Sequence, residues 1–178
     1  MKFIGKIDVQ GQNLSDVLKW LKIEFANLKY DKLKEYTFYS DILINPRQTR
    51  LDEIYINLNN LQNEILGEAK INYSGKTSLI TSSFKVNNLT VEDYFDTSAK
   101  NHYLTGGKLL KKILWLNNLS ANNDLKVRFE NLNYGNYSFN NQTVKLRFGQ
   151  GYFELSDLRV QSKELELTAF MAVDIRND

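Results

Sequence analysis

The sequence of 178 residues has no cysteine, one proline and one histidine. Without cysteine the chain forms no disulfide bond, no thiolate metal site and no cysteine nucleophile. The single histidine, His102, cannot build a usual zinc site without cysteine partners. No apolar run approaches the ~20 residues that span a bilayer as a helix, and no signal peptide precedes the first strand-like segment. If the protein acts outside the cytosol, we expect this chain to be part of a longer one.

The sequence also has no large excess of positive or negative residues. Lysine and arginine total 23 and aspartate and glutamate 21, which gives a formal net charge of +2. This balance does not favour a nucleic-acid-binding protein, so we expect no nucleic-acid partner. Hydrophobic residues make up 42% of the chain, which is typical of a sequence that folds.

Motifs for catalysis are missing as well. The triplet Gly106-Gly107-Lys108 fails as a phosphate-binding loop, because Asn101 stands where glycine is required and Leu109 where serine or threonine is required. No Gly-x-Ser-x-Gly sequence occurs, which excludes a nucleophile elbow. Glu164 and Glu166 flank an apolar row and are typical of a solvated strand face. We expect a chain that is not an enzyme and holds no metal or cofactor.

Apolar and polar residues alternate in nine segments, which is the pattern of half-buried β-strands. The predicted strands are 2–10, 36–45, 51–59, 64–73, 78–87, 124–132, 137–148, 152–160 and 163–175. After the first, the predicted strands fall into two runs, 36–87 and 124–175. Turn-forming residues such as Asn45-Pro46 lie between consecutive strands of each run. Short connections of this kind predict hairpins, and therefore an antiparallel meander.

The alternation changes parity within the predicted strand 152–160. Phe153 and Leu155 have odd numbers, whereas Leu158 and Val160 have even numbers. A shift of one residue moves side chains to the opposite face of a strand, so we expect a bulge or sharp bend near Ser156-Asp157.

Apolar residues at helical spacing predict two short helices, at about 15–28 with Ser15 as the N-cap and at about 107–117. The fold class is therefore α+β, mostly β: an antiparallel meander of about eight to nine strands that forms a curved sheet or groove. We interpret 1–178 as a single domain. A helix followed by four strands occurs twice, which also suggests two related units, 1–90 and 105–178, joined by an irregular segment.

The last predicted strand contains the stretch "LELTAFMAVDI", which alternates without interruption over residues 165–175. Such a run spans about 33–36 Å, which is long for a strand. The apolar side chains of Leu165, Leu167, Met171, Val173 and Ile175 either pack as ordinary core or line a groove that binds lipid. Both readings stay open at the level of sequence.

Three longer stretches resemble the AsmA family of bacterial envelope proteins. They are "GKIDVQGQNLSDVLKWLK", "LDEIYINLNNLQNEILGEAKINYSGKTSLITSSFKVNNLTVEDY" and "LKVRFENLNYGNYSFNNQTVKLRFGQGYFELSDLRV". In the first stretch, a strand that ends near glycine leads into a short helix with Trp-Leu. The second stretch has a strand centred on Gly67, and the third has a "Leu-x-x-Gly" step at 132–135. The resemblance covers most of the chain except about 91–105. A Gly-Gly pair that the family often has before the last strand is replaced by Ser162-Lys163-Glu164.

The resemblance implies a periplasmic module of a larger protein anchored in the inner membrane of a Gram-negative bacterium. Such proteins are linked to outer-membrane biogenesis and are proposed to carry lipid along an apolar β-groove. The implied partners are phospholipid and other envelope proteins. A structural or protein-interaction scaffold that uses an exposed sheet edge is the alternative expectation.

Overall fold

The computed structural model describes residues 1–20, 28–30, 33–58, 63–73, 77–96, 121–161 and 166–174, with only the backbone given at 159–161 and 167. The strands are β1 (Phe3–Gly11), β2 (Tyr36–Asn45), β3 (Gln48–Leu58), β4 (Asn63–Asn72), β5 (Ser78–Thr90), β6 (Ala121–Tyr134), β7 (Tyr137–Gly149), β8 (Tyr152–Gln161) and β9 (Glu166–Asp174). The mostly-β fold class predicted from the alternation is confirmed.

The nine strands form one open sheet in which the spatial order is the chain order, from β1 to β9. Seven neighbouring pairs are antiparallel, as the hairpin spacing predicts. The pair β5–β6 is parallel, which interrupts the expected meander. Parallel neighbours need a crossover connection, and residues 91–120 supply it. The alternation within a strand contains no information about this change of direction.

The first predicted helix lies partly within the described residues. Helix α1 (Leu14–Trp20) begins one residue before the predicted N-cap, and the Ser15 hydroxyl donates a hydrogen bond to Asn13 Oδ1 at 2.5 Å. Leu28, the predicted end of this helix, instead forms an isolated antiparallel bridge with Phe95. Residues 21–27 and the predicted helix 107–117 lie outside the described residues.

A second described helix, α2 (Val91–Tyr94), was not expected from the sequence. It follows β5 directly and contacts β6. The backbone N–H of Lys29 donates to the carbonyl oxygen of Tyr94 at 2.7 Å, and the Tyr94 side chain is buried. We call this end of the sheet, where β1, β3 and β5 finish, the helical end.

Two strands carry the same kind of β-bulge. In β3 the register shifts between Leu51 and Ile54, and in β8 it shifts between Leu155 and Leu158. The second shift confirms the bulge expected near Ser156-Asp157. Each bulge places an acidic residue in the left-handed region, Glu53 with φ 52° and Asp157 with φ 61°.

The two bulges also affect the neighbouring strands in the same way. The pairing of β3 with β2 is shifted between Tyr39 and Asp41, and that of β8 with β7 between Thr143 and Lys145. The strands β2–β4 and β7–β9 are therefore built alike. This likeness agrees with an internal repeat, whereas the unit boundaries 1–90 and 105–178 stay a prediction.

Candidate functional site

The strand register arranges apolar residues in rows that cross the sheet. Residues paired between neighbouring strands point to the same side, so each chain of pairs traces one face. The central row is Gly5, Ile42, Leu51, Ala69, Ser82, Leu125, Leu146, Leu155 and Met171. A second row is Phe3, Ile44, Thr49, Ile71, Ile80, Asn123, Phe148, Phe153 and Val173. A third row is Val9, Phe38, Ile56, Ile65, Val86 and Phe129.

We call these three sets the apolar rows, and the side of the sheet that carries them the apolar face. No charged residue interrupts them. Two of the rows run from the first strand to the last without leaving this face. The nine strands therefore present one mostly apolar surface, in which Thr49, Ser82 and Asn123 are uncharged polar members.

The apolar face is only partly covered. In the apolar rows Val86 is buried, whereas Phe3, Val9 and Ile44 are exposed and the other members keep intermediate exposure. The chain has a total accessible surface of 12465 Å². A compact monomer of 20.7 kDa would expose about 8900 Å². The difference agrees with the partial exposure of the apolar rows in the described part of the chain.

The structure places the predicted lipid-binding residues at one end of these rows. Met171 pairs with Leu155 and Val173 pairs with Phe153, so the two side chains continue the apolar face onto β9. The backbone of Leu167 pairs with Val160, while its side chain lies outside the described part of the chain. Leu165 and Ile175 also lie outside the described residues.

Sequence reasoning missed the larger part of this surface. The prediction was confined to one long strand, whereas the apolar rows extend over eight further strands. The signal was available, because every one of those strands alternates with a period of two. What the sequence lacked was the register, which decides whether neighbouring alternations fall on the same side.

The opposite side of the sheet, which we call the polar face, carries ion pairs that connect neighbouring strands. Lys6 Nζ lies 3.7 Å from Asp41 Oδ1, Lys85 Nζ lies 2.6 Å from Glu130 Oε1, and Arg147 Nε lies 3.5 Å from Asp124 Oδ2. All six side chains are well exposed to solvent. Exposed pairs of this kind contribute little stability, so the polar face is a solvated surface.

Two cations of the polar face have raised pKa values. The hydrogen bond from Lys6 Nζ to the Tyr39 hydroxyl, at 2.9 Å, and the nearby Asp41 carboxylate raise the pKa of Lys6. The hydrogen bonds from Arg50 to Asp52 raise the pKa of Arg50. Both shifts favour the charged forms, which strengthens the contrast with the apolar face.

Depressions on the polar face are lined mainly by charged and hydroxyl side chains among the described residues. The one of about 470 Å³ is lined by residues of β3 to β6, including Arg50, Asp52 and Lys70. Its arginine and aspartate are already joined by a 2.8 Å ion pair. Among the described residues, no group of three or more histidine or acidic side chains could hold a metal ion.

The polarity of the faces is reversed at the helical end. Leu89 pairs with Leu132, which in turn pairs with Phe139, and this set lies on the side opposite the apolar rows. Phe139 is buried, with its ring stacked on that of Tyr137 at 6.2 Å between centroids. The ends of β5, β6 and β7 thus turn their apolar residues away from the apolar face.

Comparisons with known proteins found no relative. No protein-family model matches the sequence, and no curated protein or solved structure matches it. Within the described residues, the structure contains no helix that is long and apolar enough to cross a membrane. The candidate site is thus defined by the geometry of the sheet alone.

Proposed function

We propose that this chain is a non-catalytic module that holds the acyl chains of lipids on the apolar face of its sheet. The observation that carries the proposal is the continuity of the apolar rows, two of which cross all nine strands and most of whose members keep intermediate exposure. Soluble monomers rarely expose apolar patches of more than a few hundred Å² unless the patch binds something. A lipid tail is a long apolar ligand whose shape suits such a surface.

The energetics favour an acyl chain on this surface. Removing apolar area from water is worth about 25 cal/mol per Å², or about 0.8 kcal/mol for each buried methylene. The interaction is not directional, so it needs no specific hydrogen bonds and no charged partner within the rows. Charged head groups would stay in water at the margin of the sheet. The apolar face would therefore select lipids by their tails.

The cellular setting proposed here follows from the resemblance to the AsmA family. In that setting the module lies in the periplasm, within a larger protein anchored in the inner membrane. Its role is in lipid transport for outer-membrane biogenesis, with phospholipid as the cargo. The open single-layer sheet with one apolar face supports this proposal, since a transport groove must stay accessible along its length.

The test is lipid occupancy measured on matched variants of β9. Met171→Glu combined with Val173→Glu places two carboxylates on the apolar face, whereas Thr168→Glu combined with Ala172→Glu places them on the polar face of the same strand. All four positions lie on an outer strand, so the two variants carry equal charge at similar places. We expect the first variant to lose most co-purified phospholipid, quantified by mass spectrometry of organic extracts.

The control variant, Thr168→Glu combined with Ala172→Glu, should retain as much phospholipid as the unmodified chain. Equal lipid content in both variants, with both folded by circular dichroism, would contradict binding at this surface. A chain that never co-purifies with phospholipid and takes none up from vesicles would contradict the proposal altogether.

A scaffold function is the second candidate, and the outer strands favour it. Ile4 on β1 is 68% exposed and Phe170 on β9 is 70% exposed. Such strands can accept a strand from another protein. Affinity capture from an envelope extract that retains a defined protein but no phospholipid would favour the scaffold. Capture of phospholipid by the purified chain favours the lipid-binding module.

A further inference from the structure

The two outer strands carry the most exposed apolar side chains of the sheet. Ile4 on β1 is 68% exposed and Phe170 on β9 is 70% exposed. Both alternate with members of the apolar rows, so both point to the polar face. Elsewhere this face is dominated by charged and hydroxyl side chains. Leu43, Leu66 and Leu79 also lie on this face, but Ile4 and Phe170 are more exposed than any other large apolar side chain of the described strands.

Strand β1 carries the charged residues Lys6 and Asp8, but neither outer strand has two other features that usually prevent pairing at a sheet edge. Natural edges are protected by proline, by a bulge or by charges that point inward. Strand β1 pairs with β2 without a register shift, and the bulge next to β9 lies on β8. Neither outer strand contains proline. Among the described residues, no strand pairs with the outer side of β1 or β9.

The directions of these two strands suit each other. The successive pairings make β9 antiparallel to β1, because only the β5–β6 pair is parallel. A second copy placed as a continuation of the sheet would present its β1 antiparallel to β9 of the first copy. The apolar faces of both copies would lie on the same side. Each strand has 9 residues, so the two edges are matched in length.

We infer that copies of this chain associate head to tail, with β9 of one copy paired antiparallel to β1 of the next. In the register that keeps the two apolar faces on the same side, eight residues of each strand pair and Val173 is opposite Phe3 of the next copy. Phe170 is then opposite Lys6 of the next copy and diagonal to its Ile4. The two exposed apolar residues cover each other, and two of the apolar rows continue from one copy to the next.

Charge complementarity identifies a second copy as the occupant. In the same register Asp174 is opposite Lys2 of the next copy, and opposite charges directly across two strands stabilise the pair. The contact joins two different surfaces and does not close on itself, so it produces open chains rather than a single dimer. The association itself does not depend on lipid. That it would lengthen a lipid-binding groove from one copy to the next rests on the proposed function.

The experiment uses two variants that each block one edge of the complete chain. Phe170→Lys places a lysine opposite Lys6 of the next copy, and Ile4→Glu places a glutamate next to Asp174 of the preceding copy. Both positions are exposed, so folding should be preserved. Light scattering coupled to size exclusion, run at increasing protein concentration, reports the mass of each sample.

We expect the unmodified chain to grow in mass with concentration beyond a dimer. Each variant alone should associate at least roughly tenfold more weakly, because every head-to-tail contact then contains a blocked edge. An equimolar mixture of the two variants should form dimers, because one free β1 edge meets one free β9 edge. The control Leu79→Lys, on the polar face of the central strand β5, should behave like the unmodified chain.

Three outcomes would overturn the inference. The unmodified chain could stay monomeric at every concentration. Either edge variant could associate as strongly as the unmodified chain, which would indicate symmetric pairing of like edges or contact elsewhere. The mixture could also fail to form dimers. A cross-link gives an independent readout: since the native chain has no cysteine, oxidising a mixture of Ile4→Cys and Ala172→Cys, which are directly opposite in this register, should yield the mixed dimer in preference to either homodimer.

Discussion

The two faces of this sheet are made from the same strands but differ in almost every physical property. The apolar face carries rows of aliphatic and aromatic residues without a charged member, whereas the polar face carries ion pairs such as Lys85–Glu130. In a sandwich or a helix-covered sheet, the apolar face would be packed against a second layer. Here most of it keeps intermediate exposure. The contrast shows that, in the described part of the chain, the apolar face is only partly buried, which is the basis of the proposed lipid binding.

The largest expected effect comes from a charge at the best-covered point of the apolar face. Val86 is 7% exposed and pairs with Ile65 and Phe129. Val86→Asp should lower the free energy of unfolding by about 3–5 kcal/mol, because the carboxylate loses water without gaining a partner. Urea denaturation measures the change. The matched control Ser83→Asp, on the polar face of the same strand, should change stability by less than about 0.5 kcal/mol.

Equal losses of stability for Val86→Asp and Ser83→Asp would mean that the two faces do not differ in burial.

A smaller effect on stability is expected from binding of the lipid itself. Phospholipid at about 100 times its Kd should stabilise the folded chain by about 2.7 kcal/mol, provided that the unfolded chain does not bind it. For a protein of this size the melting temperature should rise by roughly 5–10 °C.

Scanning calorimetry with and without short-chain phospholipid measures this shift. The variant with glutamate at positions 171 and 173 should show a smaller rise than the variant with glutamate at positions 168 and 172. An unchanged melting temperature for the native chain would argue that the apolar face does not bind phospholipid.

Packing on the apolar face gives the next effect. The Phe84 ring lies across Gly67, and a Cβ added there would contact the ring and lie 2.5 Å from the Ser83 carbonyl oxygen. Gly67→Ala should therefore destabilise the fold by about 1–3 kcal/mol. Glu68→Ala, on the polar face of the same strand, should cost little. A neutral Gly67→Ala would show that the ring can move aside freely.

The smallest effect is expected from the ion pairs of the polar face. Lys85 and Glu130 are separated by 2.6 Å, but their side chains are 44% and 39% exposed. Lys85→Gln should lower stability by less than about 1 kcal/mol, and added salt should reduce the difference further. A larger, salt-independent loss in urea denaturation would mean that the polar face contributes more to folding than its exposure suggests.

Much of the sheet could be predicted because strands leave a local signature. The alternation located all nine strands, and the parity change near Ser156-Asp157 located the bulge in β8. The parallel pair β5–β6 could not be predicted, since strand direction depends on the route of the connection. Helix α2 has only 4 residues, too few for a periodic signal. The helix predicted at 107–117 lies outside the described residues.

Only part of the candidate site could be predicted from the sequence. Met171 and Val173 were found because their strand alternates without interruption. Their partners Leu155 and Phe153 became part of the same surface only through the register, which is a property of the folded sheet. The reversal of polarity at the helical end, where Leu132 leaves the apolar side, could not be predicted for the same reason.

Photo-crosslinking tests the central claim most directly. A phospholipid with a diazirine in its acyl chain would be bound to the full chain, irradiated, and the labelled residues mapped by mass spectrometry. The lipid-binding account predicts labels on members of the apolar rows such as Leu125, Leu146 and Met171, and none on polar-face neighbours such as Lys126 and Arg147. Labels spread evenly over both faces, or confined to the polar face, would contradict it.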